Sequence, residues 1–366
     1  MQQLRVNNPG LDKNMVRAGE NGAFDLFNSQ SSAPTGIVTE ELRQRAFTSI
    51  GRDVKVPVID YNGSVTISNT RSCVIPDNDN TSHLVTLVFA NFSTGFSMLP
   101  ARYNTNEITY QRDWERKMSN VIRALGDALD VQAIATLEAN KSTIYKNALG
   151  YTMAGGSVQV PFVKRGNIFG DLNAMMRANR FSPIGLHVVG NPGVMSVVRN
   201  LAQHDIYNDT NKRNEWGDKV FHYTDNLTDG DTIMGTLYAV ADGNLGCVTR
   251  VAREEYMGTI SRVGHEWGTV MLPGLNIMVG THEKEEVGDF HDIDGEASSD
   301  MVCNLKKYYG FSFDICFMVA YNSDPATIPN PIIKAEFINE AAMPTMAQPV
   351  YVVNTVSTDA IETVNP

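Results

Sequence analysis

The sequence predicts an α+β fold in which strands outnumber helices and one helix is far longer than usual. Three observations carry this. From Val54 to about Tyr110, short runs rich in Val, Ile, Thr and Phe alternate with turn residues, and the same texture returns from about Asp218 to Phe337. Between these regions, from Asp113 to about Lys141, Trp114, Met118, Val121, Leu125 and Leu129 recur at helical spacing with no proline among them. About 28 residues at ~1.5 Å each make a rod of roughly 40 Å, against ~11 residues for an ordinary globular helix.

Residues 1 to about 38 are polar and rich in Asn, Gly and Ser, without sustained apolar periodicity, and read as an arm that gains order only by contact with something else. Thr39 suits the N-cap of a short helix through Glu40, Glu41 and Leu42 to about Thr48, with its acidic residues where the helix dipole favours them. The runs VKVPVID, SVTIS, SCVI, HLVTLVFANF and GFSML follow. Pro76-Asp77-Asn78-Asp79-Asn80-Thr81 is a strong turn signal, so residues from about 65 to 99 read as a long two-stranded excursion, marginal by itself and in need of an intermolecular partner.

Asp113 is the expected cap of the long helix. Beyond it, DLNAMMRANRF reads as a helix from Asp171 with Leu172, Met175 and Met176 on one side. A strand over Ile184 to Val189 leads through Gly190-Asn191-Pro192-Gly193 into VMSVVRNLAQ, with Asn191 as N-cap and Pro192 at the first helical position, where a missing N–H costs nothing. Strands KVFHY, TLYAVA, CVTRVA, GTVMLPGLNIMV and FSFDICFMVAY come next, with Asp242-Gly243-Asn244 as a hairpin or tight turn and His282 to Asp300 as an acidic loop. The tail past Asn339 has no clear period.

A chain of 366 residues with 42% hydrophobic content can bury a sizeable core. No window approaches the ~18 apolar residues of a membrane span, and the opening MQQLRVNNPGLDKNMV lacks an apolar signal region, so the chain is expected to stay in the cytoplasm where it is made. With net charge −11, the molecule as a whole repels nucleic acid and anionic lipid, which argues against sequence-specific DNA binding and membrane association. Cys73, Cys247, Cys303 and Cys316 form no CxxC pair and read as buried reduced thiols.

Catalytic signatures fail one by one. There is no GxxxxGK[ST] loop and no GxSxG elbow, and His265-Glu266 is followed by Trp-Gly-Thr rather than completing HExxH. Gly190-Asn191-Pro192-Gly193 lacks GxGxxG spacing and a following acidic ribose ligand, so it reads as a structural turn. Asp289, Asp292, Asp294, Glu296 and Asp300 crowd together, but with Gly295 at the glycine position of an EF-hand, Phe290 and Met301 occupy ligand positions, so a solvated loop is the better reading. His83, His187, His204, His222, His265, His282 and His291 are dispersed. No catalytic, cofactor-binding or metal-ligating residue is assigned.

The order of arm, β excursion, long helix, α/β unit and strand-rich region resembles the major capsid proteins of the HK97 fold, found in tailed bacteriophages. GLHVVGNPGVMSVVRNL is similar to a family segment in which an Asn-Pro pair opens a helix, and LYAVADGNLGCVTR to axial-domain strands around a tight turn. The resemblance implies an N-terminal arm with short helix over 1–52, an extended β-hairpin loop over 53–112, a spine helix and peripheral α/β domain over 113–217, an axial domain and return strand over 218–339, and a C-terminal tail over 340–366. It also implies a structural, non-enzymatic subunit of a virion, forming hexamers and pentamers of an icosahedral shell. The implied partners are copies of itself, a portal, scaffolding or cement proteins, and packaged DNA in non-specific proximity. Some relatives carry a helical scaffolding domain where this chain has only an arm, which leaves assembly to a separate scaffold or to none. Others cross-link their loops through Lys, Asn and Glu, and Lys117 and Lys146 lie near the corresponding elements. The alternatives are an encapsulin-like nanocompartment shell, a β-rich phage tail protein, and an enzyme with an unrecognised site.

Overall fold

A computed structural model describes residues 21–33, 36–48, 53–59, 82–103, 109–181, 185–205, 219–227, 233–251, 265–290 and 302–339. Within them the fold is mixed α and β, with five α-helices and three sheets. The helices are α1 (Gly22–Ser31), α2 (Glu40–Thr48), α3 (Tyr110–Ala139), α4 (Ile168–Ala178) and α5 (Pro192–Asp205). A two-stranded sheet pairs β1 (Val54–Ile59) with β2 (Ser82–Leu87). A five-stranded antiparallel sheet runs β10 (His265–Leu272), β11 (Ile277–Phe290), β12 (Val302–Val319) and β3 (Ala90–Met98), with β9 (Leu245–Arg250) also on β12. A six-stranded mixed sheet has the order β4 (Thr152–Ala154), β5 (Ser157–Pro161), β13 (Ile332–Ile338), β8 (Ile233–Ala241), β6 (Leu186–Gly190) and β7 (Lys219–Tyr223), so it draws strands from both sides of residue 218.

The long helix is present and longer than expected, at 30 residues. Its cap is Thr109, whose side chain accepts from the Arg112 amide, and not Asp113. Asp113 lies inside the first turn, where it accepts from the Tyr103 hydroxyl and pairs with Lys117 at 3.1 Å, contacts that hold its carboxyl below the usual range despite burial. Val121, Leu125, Leu129, Ala133 and Leu137 form the buried stripe, packed with Phe311, Phe313 and Ile315 of the five-stranded sheet in one apolar core. A second core joins α4 and α5 to the six-stranded sheet, where Leu172, Met175 and Met176 are fully buried as the spacing predicts. Helix α4 begins at Ile168, a turn before the expected Asp171.

The expectation of an arm as far as Val38 is overturned for residues 22–31, while residues 1–20 lie outside the described residues. Helix α1 sits in the centre of the first core, with Ala23, Phe24, Leu26 and Phe27 all fully buried and Phe27 edge-on to Phe317 at 5.0 Å. Its polar residues disguise it because they substitute for a strand. Gln30 Oε1 accepts from the Leu245 amide at 2.9 Å and Ser31 Oγ from the Cys247 amide at 2.6 Å, closing the edge of β9. At its other end, fully buried Asp130 of α3 accepts from the Ala23 and Phe24 amides at 2.8 and 3.0 Å, the charge-on-dipole arrangement of a helix N-terminus. The Thr224 hydroxyl and Asn226 Nδ2 donate to its second oxygen. Burial pushes the Asp130 carboxyl up, and these four bonds pull it back.

Helix α2 conforms to expectation, with Thr39 Oγ1 accepting from the Leu42 amide at 3.2 Å. The two-stranded excursion does not begin at 65 or extend to 99. Strand β2 pairs with β1, from Val54↔Leu87 to Ile59↔Ser82, and β3 belongs to the five-stranded sheet. Only Val88 and Phe89 separate β2 from β3, so composition did not mark the break. Residues 60–81, with the Pro76 to Thr81 turn, lie outside the described residues. Nor is the acidic region from His282 a loop at its start: His282 to Phe290 is strand, because its alternating charges pair with Lys306, Lys307 and Tyr308 across β12.

If the α3 stripe is the core of the fold, Leu125→Ala should cost roughly 2–5 kcal/mol in a denaturant titration, and exposed Gln111→Ala under ~0.5 kcal/mol. Equal small losses at both positions would show that the stripe is not core.

Candidate assembly surfaces

The β1–β2 ribbon has two unlike faces. Val54, Val56, Val58, Val85 and Leu87 alternate toward the body, where Val54 is buried with Leu42, Ala46 and Val248. Lys55, Pro57, Leu84 and Thr86 face away, with Leu84 70% exposed. The inner face therefore rests partly on the subunit itself rather than wholly on a neighbour. It does not close fully: a groove of about 330 Å³ lies between Val56, Val58 and Val85 on the ribbon and Phe317, Val319 and Tyr321 after the core stretch of β12. The ribbon's base is fixed by Arg250, which covers the Phe89 ring at 4.0 Å while its Nε donates to Asp314 at 2.8 Å.

A second ribbon is formed by the outer ends of β11 and β12. Pairing of β12 with β3 stops at Lys307↔Met98, and pairing of β10 with β11 stops at His265↔Lys284. Beyond these, β11 and β12 continue together to Phe290↔Val302, with no third strand beside them among the described residues. The Val287 side chain there is 69% exposed. Glu285 and Lys307 pair across the strands at 2.5 Å, and Lys284 pairs with Glu286 at 3.1 Å.

Residues weighed for chemistry fall into place structurally. Asn191 Oδ1 accepts from the Val194 amide at 3.2 Å, as an N-cap should. A Cβ at Gly193 would meet Met234 O at 2.1 Å, and one at Gly190 would meet Val194 at 2.8 Å, so these glycines serve close packing and the space a phosphate needs is filled. Among the described residues no group of three His, Cys, Asp or Glu side chains could hold a metal. Asp292, Asp294, Glu296 and Asp300 lie outside them. Cys247 and Cys316 are free and buried, and burial raises both thiols, Cys316 to about 11. No described helix is long and apolar enough to cross a membrane.

The histidines are less scattered than the sequence implies. His187 on β6 and His222 on β7 meet because the two strands run parallel in adjacent register, with Nδ1 and Nε2 at 3.3 Å. His187 Nε2 lies 3.4 Å from Asp242. Sequence reasoning missed this pair because 35 residues separate its members and nothing local encodes the pairing of β6 with β7. Burial lowers both imidazoles; proximity to His187 helps bring His222 to about 4, while Asp242 opposes the fall at His187.

No family model matches the chain, and none of the curated proteins does. Solved structures do resemble it. One from Mycobacterium phage Che8 has a TM-score of 0.46 at 10% identity, covering 82% of this chain and 89% of that one. The capsid structure of the cyanophage P-SCSP1u gives 0.44 at 9% identity over 79% and 84% of the two chains. The capsid asymmetric unit of cyanophage Pam1 gives 0.41 at 10% over 82% and 87%.

The histidine pair generates a pH dependence. Both groups titrate lower in the folded chain than in the unfolded one, so the unfolded state binds more protons between about pH 4 and 6.5 and stability falls as pH drops through that window. Asp130, raised by burial, acts in the opposite sense, so the measurement is a comparison. His222→Gln should recover roughly 1–3 kcal/mol of the stability lost between neutral pH and about pH 4.5, read from thermal melts. The same acid loss in wild type and variant would place the effect elsewhere.

Proposed function

We propose that this chain is a non-enzymatic structural subunit that self-associates into hexamers and pentamers and closes an icosahedral shell around a phage genome, with the HK97-type organisation of spine helix α3, extended loop on β1–β2, peripheral domain and axial domain. The observation that carries the reading is the pair of two-stranded ribbons. Among the described residues each has fewer neighbours than a stable sheet needs, and each exposes apolar side chains, Leu84 with Val88 just after it on one and Val287 on the other. A monomer gains nothing from such extensions. A lattice does, because a ribbon laid on the next copy makes a heterologous contact, and repetition of that contact closes into rings and shells.

The rest of the subunit fits the same role. Two apolar cores hold the platform that carries the ribbons. Portal, scaffolding and cement proteins belong to this reading as further partners.

Purified chain should appear in negative-stain microscopy as capsomers or closed particles, and a strictly monomeric solution at high concentration would overturn the reading. Replacing residues 60–81 by Asn-Gly keeps strands β1 and β2 that touch the body. Circular dichroism should then show a folded chain and sedimentation should show loss of closed particles. Normal particles from the shortened chain would remove the ribbon from the assembly mechanism.

A further inference from the structure

The charge of this chain is unevenly placed. Between residues 140 and 204 it has seven lysines and arginines against one carboxylate, Asp171, although the whole molecule carries −11. This stretch contains β4, β5 and β6 of the six-stranded sheet, with α4 and most of α5.

The cations gather around helix α4. At its C-terminal end, where the helix dipole favours positive charge, Arg177 and Arg180 are exposed, and the exposed Lys146 is held beside them by its amide donating to Asn179 Oδ1 at 3.1 Å. At the N-terminal end, Lys164 lies 6.0 Å over the Tyr151 ring and Arg165 lies 3.7 Å over Phe162. The connection from Lys146 to Tyr151 joins the two ends, because Tyr151 donates its hydroxyl to Asp171 on α4 at 2.7 Å. That bond also occupies the single carboxylate. Among the described residues none of these five cations forms a salt bridge, whereas Lys141 is taken by Glu138 at 2.6 Å. Between the two ends, α4 presents only exposed Gly170 and Ala174, so nothing bulky stands between the charges.

We infer that this face binds the phosphate backbone of double-stranded nucleic acid by charge, without reading sequence. The inference rests on the shell reading for the source of the polyanion. Long Lys and Arg side chains without carboxylate partners among the described residues, spread along a helix, suit a repeating line of phosphates, which needs no fixed pocket. A second copy of this chain fits less well: the exposed carboxylates on its outer ribbon are already matched by its own lysines, Glu285 by Lys307 and Glu286 by Lys284. The acidic remainder would keep the rest of the subunit away from the duplex and so orient it.

The test is fluorescence anisotropy of the full chain with a labelled duplex of about 30 base pairs and arbitrary sequence, across about 50 to 200 mM salt. With five phosphate contacts, log K against log salt should slope at roughly −4 to −5. The triple variant Lys146→Gln, Arg177→Gln, Arg180→Gln should flatten the slope by about 2 to 3, and the ribbon variant Lys284→Gln, Lys306→Gln should leave it unchanged. If the triple variant fails a circular dichroism melt, Lys164→Gln with Arg165→Gln takes its place. No binding by wild type at low salt, an unchanged slope in the lobe variant, or equal loss in the ribbon variant overturns the inference. A lobe variant that loses oligomers while wild type ignores the duplex also overturns it, and assigns the face to an acidic protein partner. Shells without duplex binding would sink this inference alone, and duplex binding without shells would sink the shell reading alone.

Discussion

The structure depends on the buried carboxylate of Asp130. It lies on the long helix, yet all four of its bonds go elsewhere: to the first amides of α1 and to Thr224 and Asn226 after β7. A fully buried charge is tolerable only when its lone pairs are filled, and here filling them joins three distant segments of chain at one point. Once α1 is held at that end, its other end can offer Gln30 and Ser31 to β9 and so close an edge that no strand covers among the described residues. The helix behaves as part of the sheet. The isolated bridge between Asn21 and Thr224, and Gly22 abutting the Tyr223 backbone so tightly that a Cβ would sit 2.3 Å from its oxygen, continue the same contact into the six-stranded sheet.

Around that point the molecule divides its labour. Asp130 is ringed by donors and lies beside a fully buried apolar cluster that includes Ala23, Phe24, Leu129 and Ala133, as cooperative folding requires. The two ribbons are more sparsely covered, with one face of β1–β2 and Val287 of the outer β11–β12 ribbon open to water. The division explains how one chain can carry Leu84, Val88 and Val287 in water while remaining a folded unit: their loss to solvent is local, and the cores do not rely on them.

Much of this was legible in the sequence wherever the signal is local. The stripe on α3 announced itself through 30 residues of one period, Thr39 and Asn191 through cap chemistry, and α4 through Leu172, Met175 and Met176. What failed was non-local. Helix α1 has a short apolar face, Ala23, Phe24, Leu26 and Phe27, but its neighbours Asn28, Ser29, Gln30 and Ser31 read as arm, because nothing in the sequence says that Gln30 and Ser31 answer strand amides over 200 residues away. The pairing of β1 with β2, the meeting of His187 with His222 and the cations around α4 were hidden for the same reason. Each needs the register of distant segments, and the whole-chain charge of −11 masked a local excess of the opposite sign.

Of the two readings of Asp242-Gly243-Asn244, hairpin or tight turn, the structure has the tight turn, since β8 and β9 lie in different sheets. Gly243 takes a φ of +79°, and Asn244 ties the turn down by donating to Ala241 O and Asp242 O while accepting from the Ala320 amide at 2.8 Å. The chain thus crosses from one sheet to the other over a stapled corner with no slack. A corner of this kind offers no loose loop to act as a hinge between the two sheets at that point. In a closed surface, where neighbours must meet at more than one dihedral angle, the bending would then fall on the thin ribbons at the periphery, and the body would act as a stiff tile.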